Sequence, residues 1–354
     1  MAVVAGGLSL SFGSATAQVQ VEGKGSAVEF KLTGRVHAQF NSSSVDSVVP
    51  STFAIRRARI VAEVKINDFI YGKVEPEYGL SLVKVKDAYV RLNFSSSFRW
   101  TMGQFKRPFD VFQLRTSTQS LMIERAGNVR GAQSCSAFGL TLCSFTTFTA
   151  GLEYSERDIG FMFDGRIGSS PFKYYAAMQN GAGDFKVTDQ NGTKSYTGRL
   201  EYDVAGLKVG AHVGVHDFPN DSTGNDEYAV AFGGDVDWGV YEAIGPHVTA
   251  GVVYGDNWRN LRTQQPSKFF STQVAAAYRF PVSAGERLYS IAPMARVSYG
   301  NPDTELSGDD GWLTTAGLTF FFVGRNKLAL NVDVWNPSTG QGEYSMKAQT
   351  YLYF

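Results

Sequence analysis

Three arginines stand close together in the sequence as Arg56, Arg57 and Arg59. If this segment is a β-strand, alternation places Arg57 and Arg59 on one face, about 7 Å apart. No acidic residue lies between them. Arginine stays charged, and its planar guanidinium group can hold an oxyanion through two hydrogen bonds at once. The cluster therefore predicts a surface for anions, because rings of basic side chains are common in anion-conducting pores.

The other residues that could bind a metal or act in catalysis do not have the spacing that these functions require. His212 and His216 have the spacing of a helical zinc pair, but four residues of a strand span roughly 13 Å, which one metal ion cannot bridge. The segment 217–227 is rich in Asp and Asn but lacks the regular spacing of a calcium loop. None of the four histidines stands in an arrangement typical of a hydrolytic triad. We therefore expect no catalytic residue, no metal and no cofactor.

The elements that must position these side chains are strands. From about residue 28 onwards, short runs alternate between apolar and polar residues and are separated by Gly, Asn, Asp, Ser and Pro. In the first run, Leu32 and Val36 point one way while Arg35 and His37 point the other, as in a strand between lipid and water. We predict about sixteen strands, an even number that suits a bacterial barrel. Their centres fall near residues 35, 60, 74, 89, 101, 163, 176, 199, 212, 233, 251, 275, 294, 317, 331 and 350.

Composition indicates how the chain meets a membrane. The sequence contains 26 Phe, 17 Tyr and 5 Trp, yet after the N-terminal stretch no run approaches the roughly 18 uncharged apolar residues of a spanning helix. Outward aromatics such as Trp100, Trp238 and Phe280 fall near strand ends, as membrane interfaces favour. The last residue, Phe354, ends an alternating run that resembles the C-terminal strand of outer-membrane barrels. We predict an all-β fold, a transmembrane antiparallel up-and-down β-barrel.

The beginning of the chain predicts export. Residues 1–17 carry no charge and end on Ala15-Thr16-Ala17, the small-x-small pattern of a signal-peptidase site. A buried N-terminal strand would show a similar composition, although we favour a signal peptide at 1–17. A short segment at 18–27 and one barrel domain at 28–354 would follow, because no linker or low-complexity stretch divides the rest.

Five short motifs follow one another within roughly residues 53–181. They are Arg56-Arg57-Ala58-Arg59, Lys86-Asp87-Ala88-Tyr89-Val90, Gly103-Gln104-Phe105-Lys106-Arg107-Pro108-Phe109, Glu124-Arg125 and Arg157-Asp158-Ile159-Gly160. Their order and spacing resemble the phosphate-selective porin O and P family. The resemblance implies a trimeric, sixteen-stranded porin in the outer membrane of a Gram-negative bacterium, with a long third loop folded into the channel.

A long interruption marks that loop. After the fifth predicted strand, no clear strand returns until about Ile159, and long segments of this kind inside compact folds are usually functional or disordered. The resemblance implies that residues 106–157 form a constriction loop whose lysines and arginines draw anions through. The predicted pore and anion-binding residues are Arg57, Arg59, Lys106, Arg107, Arg125 and Arg35.

The inner face also carries acidic residues. Glu75, Glu77 and Asp87 share the inward parity of the arginines, so most of these charges are expected to pair across neighbouring strands and stiffen the barrel. The formal net charge is +0, which gives no global field to attract nucleic acid. The expected partners are small anionic solutes, outer-membrane lipid and, from the resemblance, two further copies in a homotrimer.

Cys135 and Cys143 are the 2 cysteines of the chain, and both lie in the long loop. An exported chain meets an oxidising compartment. We therefore predict a disulfide between them.

Several functions remain compatible with this sequence. The first is a passive porin that prefers anions, with phosphate or related oxyanions as solutes. A weakly selective general porin, a non-conducting structural barrel and a barrel hydrolase are the alternatives. Conductance across a planar bilayer separates them, because a structural barrel gives no stable current steps and a hydrolase loses activity when one Ser or His is changed.

Overall fold

A computed structural model shows a β-barrel and describes residues 18–23, 26–132, 135, 140, 142–183, 189, 191–220, 223–262, 264–284 and 287–354. The signal peptide predicted at 1–17 lies outside the described residues. Within those ranges, no helix is long and apolar enough to cross a membrane.

The strands are β1 Gln18–Gly23, β2 Ser26–Ser42, β3 Ser51–Lys65, β4 Ile70–Gly79, β5 Leu82–Ser95, β6 Phe98–Lys106, β7 Arg157–Arg166, β8 Phe172–Gln179, β9 Ser195–Val204, β10 Leu207–Asn220, β11 Asn225–Trp238, β12 Gly245–Arg262, β13 Gln265–Ala284, β14 Leu288–Asn301, β15 Gly311–Phe321, β16 Lys327–Pro337 and β17 Glu343–Tyr353. From β2 to β17, each strand is antiparallel to the next, and β17 closes the barrel on β2. Strand β1 pairs with the beginning of β2. All of the predicted strands are present in a closed sixteen-stranded barrel, so the predicted fold class is confirmed.

Alternation along the strands separates a lipid face from an inner face. On β2, the inward side chains of Arg35, His37 and Gln39 are at most 6% exposed. Apolar side chains face outward because hydrocarbon cannot hydrogen-bond to polar groups. Leu32 and Val36, which the alternation predicts to point outward, are exposed or half-buried on the outer surface. The same holds for apolar residues of later strands, namely Val209, Val213, Leu330 and Leu352.

The segment between β6 and β7, residues 107–156, is the third loop on its side of the barrel and is called L3 here. Its described residues include two short helices, α1 Val111–Leu114 and α2 Phe145–Gly151, and a 3-10 turn at Ser117–Gln119. L3 folds into the barrel and forms an apolar core with inward residues of the wall. This core joins Phe109, Phe112, Phe145, Phe148, Leu152 and Tyr154 of L3 to Val253, Phe269, Leu313 and Trp335 of the wall.

L3 divides the inner surface into two parts. The covered wall is the inner face of β10–β17, where Thr249, Gln273 and Asp333 are at most 2% exposed beneath L3. The open wall is the inner face of β3–β8, where Lys73 and Arg99 keep 17% and 35% of their side-chain surface exposed. The accessible polar surface of the lumen therefore includes the open wall.

Candidate functional site

A β-bulge brings a third arginine of β3 into the lumen. His37 pairs with Arg57 and Ala38 pairs with Ile55, so Arg56 is the additional residue of the bulge. A bulge of this kind allows two consecutive residues to point to the same side. The Arg56 guanidinium reaches Glu124 of L3 through two hydrogen bonds of 2.7 and 3.1 Å. Strict alternation would send Arg56 towards lipid, and the sequence alone did not reveal its inward position.

Acidic residues of β4 stand opposite the arginines of β3. Arg59 is paired with both Glu75 and Glu77, and Arg35 lies 3.3 Å from Glu75. The Arg57 Nε atom is 3.8 Å from Glu77 and has no hydrogen-bond partner among the described residues. No acid separates Arg57 from Arg59 along β3, but cross-strand acids compensate Arg59. Arg57 is the less compensated member of the predicted pair.

Lys106 and Arg107 hold the root of L3. The Lys106 Nζ atom donates to the carbonyl oxygens of Leu114 and Arg115, at 3.2 and 3.1 Å, and so caps the end of α1. Arg107 is 1% exposed and forms an ion pair of 2.7 Å with Asp158. Arg107 is therefore sealed between the loop and the wall rather than exposed to the lumen.

Arg125 lies in the middle of L3. Its Nη2 atom donates to the carbonyl oxygen of Arg115 at 2.6 Å, while its Nε atom has no partner among the described residues. Burial, together with the positive charges of Arg57 and Arg157, lowers the pKa of Arg125 to about 9. The effect of the two neighbouring cations shows that Arg125 lies in a region where positive charge is incompletely balanced.

These residues form a basic cluster where L3 approaches the open wall and β2. Its basic members outnumber its acidic members by eight to five. The basic members are Arg35, Arg56, Arg57, Arg59, Lys73, Lys106, Arg125 and Arg157, and the acidic members are Glu75, Glu77, Asp87, Glu124 and Glu156. The cluster is therefore net positive although the whole chain is neutral.

Ion pairs across neighbouring strands occur elsewhere on the inner face, as expected. Arg99 of β6 pairs with Asp164 of β7, and Lys173 of β8 pairs with Asp203 of β9. Such pairs balance charge locally and stiffen the barrel. They contribute little net field to the lumen.

The cysteines of L3 form a disulfide. Cys135 and Cys143 are joined, with their Cα atoms 5.9 Å apart, and both are fully buried in the apolar core. The bridge joins two residues of L3 that are separated by 8 positions in the sequence and precede α2.

The histidines support neither a metal site nor an accessible hydrolytic site. Within the described part of the chain, no group of three or more potential ligands could hold a metal ion. Ser195 lies 3.1 Å from the Nδ1 atom of His216 and also contacts Asp217, a grouping that the sequence did not suggest. Ser195 and His216 are only 1% and 2% exposed, so a substrate cannot reach the hydroxyl group.

A closed sixteen-stranded barrel with an inward-folded third loop and a charged lumen defines an outer-membrane porin. The chain matches the family described as phosphate-selective porin O and P over residues 30–237, more than half of its length. The protein belongs to this family, and the expected family and location in a Gram-negative outer membrane are confirmed. None of the curated proteins compared with the chain matches it significantly.

Solved structures show the same fold at low sequence identity. The outer-membrane channel DcaP of Acinetobacter baumannii is 12% identical, with a TM-score of 0.64 over 92% of this chain and 97% of that chain. OmpF of Salmonella typhi, solved with daunomycin, is 14% identical, with a TM-score of 0.60 over 95% and 100% of the two chains. OmpT of Vibrio cholerae, in a trimer form, is 12% identical, with a TM-score of 0.57 over 92% and 100%.

Proposed function

We propose that this porin lets small anions diffuse through the outer membrane in preference to cations, with phosphate or related oxyanions as solutes. The observation that carries the proposal is the surplus of positive charge in the basic cluster, beside L3. A narrow passage with low-dielectric walls strengthens a local field, since little solvent and salt are present to screen it. A neutral chain can therefore still select by charge.

Within the basic cluster, the proposal assigns different roles to the predicted residues. Arg57 and Arg125 attract the solute, because neighbouring carboxylates balance the positive charge of each only incompletely. Arg59 and Arg35 hold the carboxylates of β4 in place. A planar guanidinium group suits phosphate because it presents parallel donors to two oxygens.

Lys106 and Arg107 support L3 rather than contact the solute. Lys106 adds positive charge to the field while it caps α1. Arg107 fixes the beginning of L3 through Asp158. Changing either residue to an acid would disturb the loop root as well as the field, so neither is a clean probe of selectivity.

The reversal potential in a salt gradient tests the proposal. The native pore should prefer anions, and the double change of Arg57→Gln and Arg125→Gln should weaken or abolish that preference. Two unit charges 4 Å apart interact by about 4 kcal/mol at an effective dielectric of 20, so losing two cations should outweigh the compensated pairs elsewhere. Arg166→Gln, at the opposite end of the open wall, is the matched control and should change little. A native preference for cations would overturn the proposal.

A weakly selective general porin is the second candidate. The observation that favours it is the compensation of Arg59 and Arg157 by acids of neighbouring strands. It predicts a native reversal potential near zero that the two glutamine changes leave unaltered. In both candidates the protein acts without catalysis.

The proposed homotrimer has support in the hairpin that joins β4 to β5. Its tip exposes Leu80, Leu82 and Val83, by 55%, 55% and 80%, whereas the turn between β16 and β17 is polar throughout residues 338–342. Large exposed apolar patches usually mark contact sites. Changing Leu82 and Val83 to Lys should convert a trimer that resists mild detergent into monomers, as gel mobility without heating would show, whereas paired lysines at Ser338 and Thr339 should not.

A further inference from the structure

One stretch of L3, residues 123–128, is held to the covered wall by its backbone and is called the anchored segment here. Arg296 Nη1 donates to the carbonyl oxygens of Glu124 and Arg125, at 2.9 and 2.7 Å. Lys347 Nζ donates to the carbonyl oxygen of Asn128. Two cations of the wall thus bind three carbonyl groups of the anchored segment.

Both cations share one carboxylate. Asp333 forms an ion pair of 3.0 Å with Arg296 and a second ion pair with Lys347. All three side chains are at most 3% exposed. Buried charges require partners, so removing Asp333 would leave two neighbouring cations without a counter-ion and would loosen their hold on the loop.

The anchored segment also lies too close to the wall for an ordinary side chain. Gly127 has a φ of 73°, in the left-handed region that favours glycine. A Cβ atom at this position would overlap the Leu313 side chain and lie 2.8 Å from the Arg296 guanidinium group. Gly127 therefore permits the contact that Arg296 and Lys347 make.

The backbone contacts decide where the side chains of the anchored segment go. Because the carbonyl groups of Glu124 and Arg125 face the covered wall, their side chains extend into the basic cluster, where Glu124 binds Arg56 at 2.7 Å. We infer that Arg296, Asp333 and Lys347 are positioning residues for charge selectivity, which they set by holding Arg125 at the passage. This inference rests on the proposed anion preference.

The change Asp333→Asn gives a test whose sign separates positioning from simple electrostatics. Removing a negative charge from the lumen would by itself increase the preference for anions. If Asp333 positions Arg125, the anion-to-cation permeability ratio should instead fall by about threefold, as expected when a unit charge moves several ångströms from the passage. Asp203→Asn is the matched control, because Asp203 pairs with Lys173 on the open wall, and it should leave the ratio unchanged or slightly higher.

A second variant, Gly127→Ala, displaces the anchored segment without changing any charge, and it should also lower the ratio and increase the noise of the open-channel current. Heat-dependent gel mobility establishes that each variant is a folded barrel before its current is measured. A higher ratio for Asp333→Asn, or an unchanged ratio for Gly127→Ala, would overturn the inference. A native pore without anion preference would instead overturn the proposed function, so the two failures are distinguishable.

Discussion

The covered wall and the open wall are made by the same kind of strand but use charge differently. On the covered wall, Arg296 and Lys347 are buried and both pair with Asp333. Each also donates hydrogen bonds to backbone carbonyl groups of L3. On the open wall, Lys73 and Arg99 also pair with acids but remain partly exposed to the lumen. An inward charged side chain is therefore a candidate for contact with the solute only where L3 does not cover it.

The largest effect should come from the apolar core beneath L3. Phe148→Ala removes a fully buried ring that stacks on Phe269, and such changes cost about 3–5 kcal/mol. Tyr89→Ala on the open wall should cost markedly less, because Tyr89 is only half-buried. Urea titration of the barrel in lipid vesicles measures both. Equal losses would mean that L3 does not form a true core on the covered wall.

A charge placed on the lipid face should come next. Leu330→Arg, on an exposed outward side chain, should destabilise the barrel by about 2–4 kcal/mol if it lies near the middle of the membrane. Asn93→Arg, at a half-buried position on the open wall, should change stability by less than about 0.5 kcal/mol. The same charge at Leu313 of the covered wall should not be tolerated, since Leu313 is fully buried. If Leu313→Arg were as harmless as Asn93→Arg, the distinction between the walls would fail.

Removing the disulfide should have a smaller effect that is confined to L3. Replacing both cysteines by Ser opens a bridge across a separation of 8 residues, which should reduce stability by about 2–3 kcal/mol through loss of chain restriction. The native protein should show no reactive thiol when denatured without a reducing agent. Detecting two thiols in that experiment would show that the two cysteines are not joined.

The smallest effect concerns pH. Burial raises the pKa of Glu124, but the charges of Arg56 and Arg57 outweigh it and hold the pKa at about 2. A depressed carboxylate pKa stabilises the folded loop fully above the ordinary value near 4.5, and this contribution is lost only as the pH falls towards about 2. Between pH 7 and pH 5, the difference in reversal potential between the native pore and Glu124→Gln should therefore stay constant. A difference that shrinks in this range would show that Glu124 titrates normally.

The strands and their lipid faces could be predicted from the sequence, because apolar and polar residues alternate along each strand according to the side that faces lipid. Leu32 and Leu330 face outward on these grounds alone. The inward turn of Arg56 could not be predicted in this way, because the bulge is a property of the register between β2 and β3. The inward parity of Glu75 and Glu77 was predicted, but their pairing with Arg59 in particular depends on the register between β3 and β4.

The covered wall was missed although the sequence carries a sign of it. Val253, Phe269, Leu313 and Trp335 are large apolar residues at inward positions, where a water-filled pore favours polar side chains. The aromatic residues of L3 supply the partners that these positions require. Neither set indicates by itself which stretch of wall the loop covers, because that depends on contacts between distant parts of the chain.

The contacts between the covered wall and L3 also affect the order in which the protein folds. Arg296 lies 171 residues after the carbonyl group of Arg125 that it binds, and Lys347 lies 219 residues after that of Asn128. Contacts between such distant residues form slowly, because much of the chain must be ordered before they can be made. We expect L3 to take its shape only after β17 has closed on β2. A newly assembled barrel would then pass through a brief stage with a wide lumen, and the narrow passage would be the last part of the protein to mature.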